Sequence, residues 1–221
     1  LLYSFVLFFV FIGIGVLSAR FDPDFVRLIL GDQYVNMTLE NIKDGNPVAV
    51  YKSGGNWGSA FGITLNNLFV GLRCFLFGLF AGVGTLWIYI QNCIMLGSFQ
   101  YFFYDQGVFW ESVRGIWIHG SMEIFAIVIE AAAGLILGAS ILFPKTYSRM
   151  ASLKIGFKAG FKIFIATMPF TIAAGILEGF VTRYALEMPN WLNVFIILST
   201  LFLISFYFLI FPFIIKKKMK L

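Results

Sequence analysis

The sequence predicts an all-α protein, a polytopic transmembrane helical bundle of about six spans forming a single domain, with short interfacial helices in its outer loops. Three observations lead there. Of its 221 residues 60% are apolar and only 12% charged, against about 45–50% and about 25% in a soluble domain. The apolar residues form runs of span length, about 20 residues each. The charges fall between those runs, sorted by sign. The same balance excludes a disordered chain, which needs low hydrophobicity and high charge. It also argues against nucleic acid as a partner, because the 16 basic residues are scattered through a chain of mean hydropathy +0.88.

The first expected span is 1–19. It lacks the basic start of a signal peptide and is as long as a span, so it reads as an uncleaved helix. Residues 20–60 are different material: a polar outer loop rich in Asp, Asn, Gly and Pro. Within it, Phe25, Leu28, Ile29 and Leu30 beside Arg27 suggest a short helix on the membrane surface. Residues 61–99 are apolar almost throughout; as one helix they would reach about 58 Å, roughly twice the hydrocarbon thickness. Two spans, 61–80 and 85–103, are expected instead, turning at Gly78, Gly82 and Gly84. The aromatic and charged stretch that follows, with Tyr101, Tyr104, Trp110, Trp117, Asp105, Glu111 and Arg114, fits a membrane–water interface. The remaining spans are 116–143, ended by Pro144, then 159–181, kinked at Pro169, and 191–215. A basic amphipathic link at 145–158 joins the first two of these.

Charge predicts orientation. Lys145, Arg149, Lys154, Lys158 and Lys162, with Lys216, Lys217, Lys218 and Lys220 in the tail, are nine bases accompanied by no acid. The other connecting segments hold six bases and eight acids. The positive-inside rule then places the first group, and both termini, in the cytoplasm. The tail lysines also suggest contact with anionic lipid head groups.

Ionisable groups inside spans are costly and mark candidate functional sites. His119, Glu123 and Glu130 lie on one expected span, and their spacing places them within about 40° of one another around a helix. Asn66, Asn67 and Arg73 lie on another, with Asn66 and Arg73 on a shared face; Glu178 lies near the outer end of a third. The bland reading is a buried network in which Asn66, Asn67 or Arg73 satisfies His119 and Glu123. The functional reading is a polar path or small-solute site. A metal site on His119, Glu123 and Glu130 is the weakest, because one His followed four residues later by Glu lacks the paired His of zinc hydrolases. No catalytic motif, metal site or cofactor is therefore expected. Cys74 and Cys93 read as buried small hydrophobes.

Several short runs together resemble the stage II sporulation protein M family. They are Ile63-Thr64-Leu65-Asn66-Asn67, Asn92-Cys93-Ile94-Met95-Leu96-Gly97, Trp117-Ile118-His119-Gly120-Ser121-Met122-Glu123, Ala131-Ala132-Ala133-Gly134-Leu135 and Phe143-Pro144. The family's His-Gly-x-x-Glu is present, with Ile118 where Pro often precedes the His. The long first loop, with Arg27-Leu28-Ile29-Leu30-Gly31-Asp32 and Val35-Asn36-Met37-Thr38, resembles the Bacteroidota branch. The resemblance implies a multi-span protein of the bacterial inner membrane, with a cytoplasmic segment ahead of the first helix; this chain opens on Leu1. It also implies partners. The name-giving member is a membrane scaffold for two cell-wall-degrading proteins, and other relatives are encoded near an AAA-type ATPase. The expectation is a non-enzymatic scaffold or subunit of a membrane complex. The alternatives are a permease-like subunit with an intramembrane polar path for a solute or lipid and, more weakly, an intramembrane metal-dependent hydrolase.

Overall fold

The structure, a computed structural model, describes residues 1–49 and 55–219. Helices dominate and no strand occurs among the described residues. In chain order they are α1 (Leu2–Phe21), α2 (Pro23–Leu30), α3 (Asp32–Lys43), α4 (Asn56–Leu76), α5 (Val83–Asp105), α6 (Phe109–Leu142), α7 (Arg149–Phe180), α8 (Asn190–Ser205) and α9 (Phe211–Lys218). A π-helical turn, Phe206–Ile210, joins α8 to α9.

Five helical segments are long and apolar enough to cross a membrane: Leu2–Phe21, Asn56–Leu79, Phe109–Leu142, Arg149–Tyr184 and Asn190–Lys218. The remaining expected span, α5, is helical over 23 residues. Gln91, Asn92 and Gln100 dilute its hydropathy, and it lies outside that set.

The helix ends follow local chemistry. Asp22 accepts a hydrogen bond from the Asp24 amide and Pro23 opens α2, both favourable at a helix start. Gly31, at φ 85°, separates α2 from α3. The reversal between α4 and α5 passes through Ala81 and Gly82 at φ 54° and 83°, where glycine has no steric cost. Ser148 caps α7 by accepting from the Ala151 amide.

Three helices begin earlier than the sequence expectation: α6 starts at Phe109, inside the expected interfacial stretch and not at 116, and packing explains the other two. α4 begins at Asn56, inside the expected 20–60 loop, because its first turn docks on α7: a Cβ at Gly179 would meet the Asn56 carbonyl and Ala60. α7 begins at Arg149, so most of the expected basic link is helix. Ser152, Gly156 and Gly160 form its buried stripe, and the Ser152 hydroxyl donates to the Ser140 carbonyl at 2.7 Å. Lys154, Lys158 and Lys162 form the opposite, exposed stripe. A hydropathy average over both stripes hides the helix.

α6 is the hub. Its window of span length is 61% buried, against 22% for α1 and 11% for the last helix. α7, α4, α5, α1 and α8 pack around it. Small residues permit the close approaches, as is usual where no hydrophobic effect drives association. A Cβ on Gly134 would collide with the Cys74 carbonyl and Thr85, so α6 seats where α4 turns into α5. Thr85 Oγ1 seals that turn by donating to the Cys74 carbonyl at 2.7 Å. α1 and α5 meet through Gly15 on Ile94 and Gly97 on Ile12. The Tyr89 hydroxyl donates to the Ser4 carbonyl at 2.9 Å across the same pair. Ser121 and Thr200 share a buried hydroxyl hydrogen bond of 2.6 Å between α6 and α8.

The short helices α2 and α3 sit over one end of α1 and α5. Val26 and Val35 pack there against Ala19, Phe102 and Phe103.

Candidate functional site

His119 and Glu123 lie one turn apart on α6, and both face the last turn of α7. His119 is buried, at 4% exposure. Its Nδ1 lies 2.9 Å from Thr182 Oγ1 and its Nε2 lies 3.5 Å from Glu178 Oε2. Glu178 and Thr182 are themselves four residues apart, which brings both toward the same imidazole. Ligand-type atoms of His119, Glu123 and Glu178 all lie within 4.8 Å of one another. Glu123 differs from its neighbours: its Oε1 is buried and has no hydrogen-bond partner among the described residues.

A cavity of about 540 Å³ opens beside this group. His119, Glu123, Glu178 and Asn66 supply its polar wall, while Leu30 and Tyr34, from α2 and α3, cover it. Burial pushes the Tyr34 phenol up to about 12, against a smaller opposing effect of its hydrogen bond with Thr38, so the covering side chain is neutral at physiological pH. A smaller cavity of about 140 Å³ lies deeper, lined by Asn67, Asn92, Glu123, Glu130 and Thr171. Glu123 lines both.

Glu130 belongs to a separate arrangement. It is 3% exposed, and its Oε1 accepts from Thr167 Oγ1 at 2.7 Å. Its carboxylate lies directly against Gly71 of α4, where a Cβ would collide with it. The ligand-like set of α6 is therefore completed by Glu178 and not by Glu130.

A family model described as Stage II sporulation protein M matches residues 4–183. The chain belongs to that family. It matches no curated protein and no solved structure. The match takes in His119, Glu123, Glu130, Glu178 and Thr182, and it ends before α8.

Within this stage II sporulation protein M fold the sequence-predicted polar residues separate. Arg73 stands apart: it is exposed, and its Nε donates to the Phe69 carbonyl at 3.3 Å on its own helix. Asn66 does share a face with Arg73 and exposed Phe69, and it is itself exposed, at the rim of the cavity. Asn66 donates to Asn67 at 3.4 Å, and it is Asn67 that neighbours Glu123. The partners of His119 come instead from the end of α7 and the 3-10 turn that follows it, because α7 runs beside α6 while Arg73 sits on the outer side of α4. Thr182 and Thr167 are not singled out by the sequence reading, and Asn92 enters it only within a family-like run; the i,i+4 spacing of Glu178 and Thr182, matching that of His119 and Glu123, is the signal that marks Thr182. Lys216, Lys217 and Lys218 are exposed on α9, and Lys220 lies outside the described residues.

Proposed function

We propose that this family member is a permease-like, non-enzymatic membrane subunit whose cavity admits the polar part of a small solute or lipid. The reading rests on Glu123. A purely structural network would be closed and fully paired, since an unpaired buried polar group costs about 1–3 kcal/mol. Here a carboxylate oxygen is left unpaired among the described residues, on the wall of a cavity of about 540 Å³. The bases of α7 and α9 favour an orientation with that end, and both termini, in the cytoplasm of a bacterium. The cavity then lies in the outer half of the membrane beneath α2 and α3, and the lysines of α9 meet lipid head groups.

The test is thiol labelling at Gly120, a cavity-lining position where a new Cβ meets only side-chain carbons of its own helix, at 3.4 and 3.5 Å. Gly120→Cys, with Cys74 and Cys93 replaced by Ala, is expected to react with a membrane-impermeant charged thiol reagent added outside. A thiol that stays unlabelled in folded protein defeats the reading.

A scaffold role is the second reading, and the last helix favours it. Only 11% of its span-length window is buried, which leaves an apolar surface for a partner subunit within the membrane. Affinity purification from the native membrane should recover a stoichiometric partner that is lost when 190–218 are replaced by an unrelated span.

A further inference from the structure

We infer that His119, Glu123 and Glu178 form an intramembrane site for a divalent first-row transition-metal ion of the zinc type. The inference extends the cavity reading by naming what the polar wall holds.

Ligand chemistry comes first. One imidazole with two carboxylates suits zinc, iron or manganese; calcium and magnesium sites are built from oxygen alone. Two carboxylates and a neutral imidazole carry two negative charges, which a divalent ion cancels. Cancellation matters inside a span, where uncompensated charge is expensive.

Geometry agrees. Two ligands of a tetrahedral zinc ion, each at about 2.0–2.1 Å, are separated by about 3.3–3.4 Å. His119 Nε2 and Glu178 Oε2 are 3.5 Å apart. One ligand-type atom from each of the three residues lies within 4.8 Å of the others, so a side-chain rotation of Glu123 completes the shell. Glu123 Oε1 gives up no hydrogen bond in making that move.

The surroundings supply what a metal site needs beyond its ligands. Thr182 Oγ1, 2.9 Å from Nδ1, is placed to accept a hydrogen bond from Nδ1–H in the tautomer that presents the Nε2 lone pair to an ion. The adjoining cavity leaves room for water or a solute at the remaining coordination positions. A structural pairing accounts for His119 with Glu178 and Thr182 and sets Asn67 beside Glu123, but among the described residues it leaves Glu123 Oε1 without a partner; an ion accounts for all three.

The test uses the full chain purified in detergent, stripped with a chelator, dialysed and titrated with zinc chloride, with bound metal measured by elemental analysis. One tightly held zinc per chain is expected. Glu123→Gln and Glu178→Gln should abolish tight binding, and Thr182→Val should weaken it about 10–100-fold. Glu130→Gln, outside the set, should retain it. Cobalt added to the unmutated protein should produce visible d–d absorption bands, a readout that needs no variant to fold. Absence of both stoichiometric zinc and cobalt bands overturns the inference, as does zinc retained by a folded Glu178→Gln variant. The two readings fail separately: a labelled Gly120→Cys without metal binding removes the ion alone, and metal binding without labelling removes the open cavity alone.

Discussion

Glu123 and Glu130 sit seven residues apart on the same face of α6 and both border the smaller cavity, yet their partners differ. Glu130 is clamped. Thr167 donates to it, and Gly71 lets the α4 backbone close directly over its carboxylate. Glu123, two turns toward the end covered by α2 and α3, keeps an oxygen unpaired among the described residues and faces a second, larger cavity as well. The difference comes from how nearly the neighbouring helices approach. Around Gly134 the α4–α5 turn closes on α6 through backbone contacts. Around Gly120 a Cβ would find only ordinary contacts, and the helices have parted. One helix therefore carries a packed half and an open half, and the same residue type is structural in one and available for binding in the other.

Substitutions can break or sharpen that contrast. The largest effect is expected in the packed half. Gly134→Leu drives a side chain into the Cys74 carbonyl and Thr85, and the cost should exceed the about 1–3 kcal/mol usual for overpacking, because backbone must move. Loss of a monodisperse peak in detergent would show it, whereas Gly120→Ala should elute and melt like the parent.

The carboxylates come next. Thr167→Val leaves Glu130 without its hydroxyl donor and should destabilise by about 1–3 kcal/mol. Glu123→Gln, measured metal-free, should shift stability by less than about 0.5 kcal/mol, because no hydrogen bond of Oε1 is lost. Thermal melts of the two variants side by side decide the matter, and equal losses would erase the distinction between the halves. Ser121→Ala, which removes the hydroxyl pair to Thr200, should fall between the two, since about 0.6 kcal/mol is typical of hydrogen bonds between membrane helices.

Particular residues show how far the site could be read in advance. His119, Glu123 and Glu130 were legible as one face because helical periodicity is local. Glu178 was visible as an intramembrane acid, but its place against His119 was not, since sixty intervening residues separate the turns that meet. Arg73 illustrates the converse: periodicity correctly put it with Asn66, but could not tell whether that face turned inward or toward lipid. In a membrane both directions are apolar, so hydropathy carries no information on which side of a helix is the core.

The early start of α7 has a similar origin. Its lysines and its small residues alternate around the helix, and only contact with Ser140 shows which stripe is buried.

By itself the sequence determined the membrane class, the helical elements, the family and the sorting of basic from acidic ends, because each depends on composition or on spacing along one segment. Tertiary structure alone decided that Glu178, and not Glu130, joins His119 and Glu123, and that the cavity lies beside them. Those outcomes depend on how closely helices distant in sequence can approach, which is set by where small residues from different segments meet.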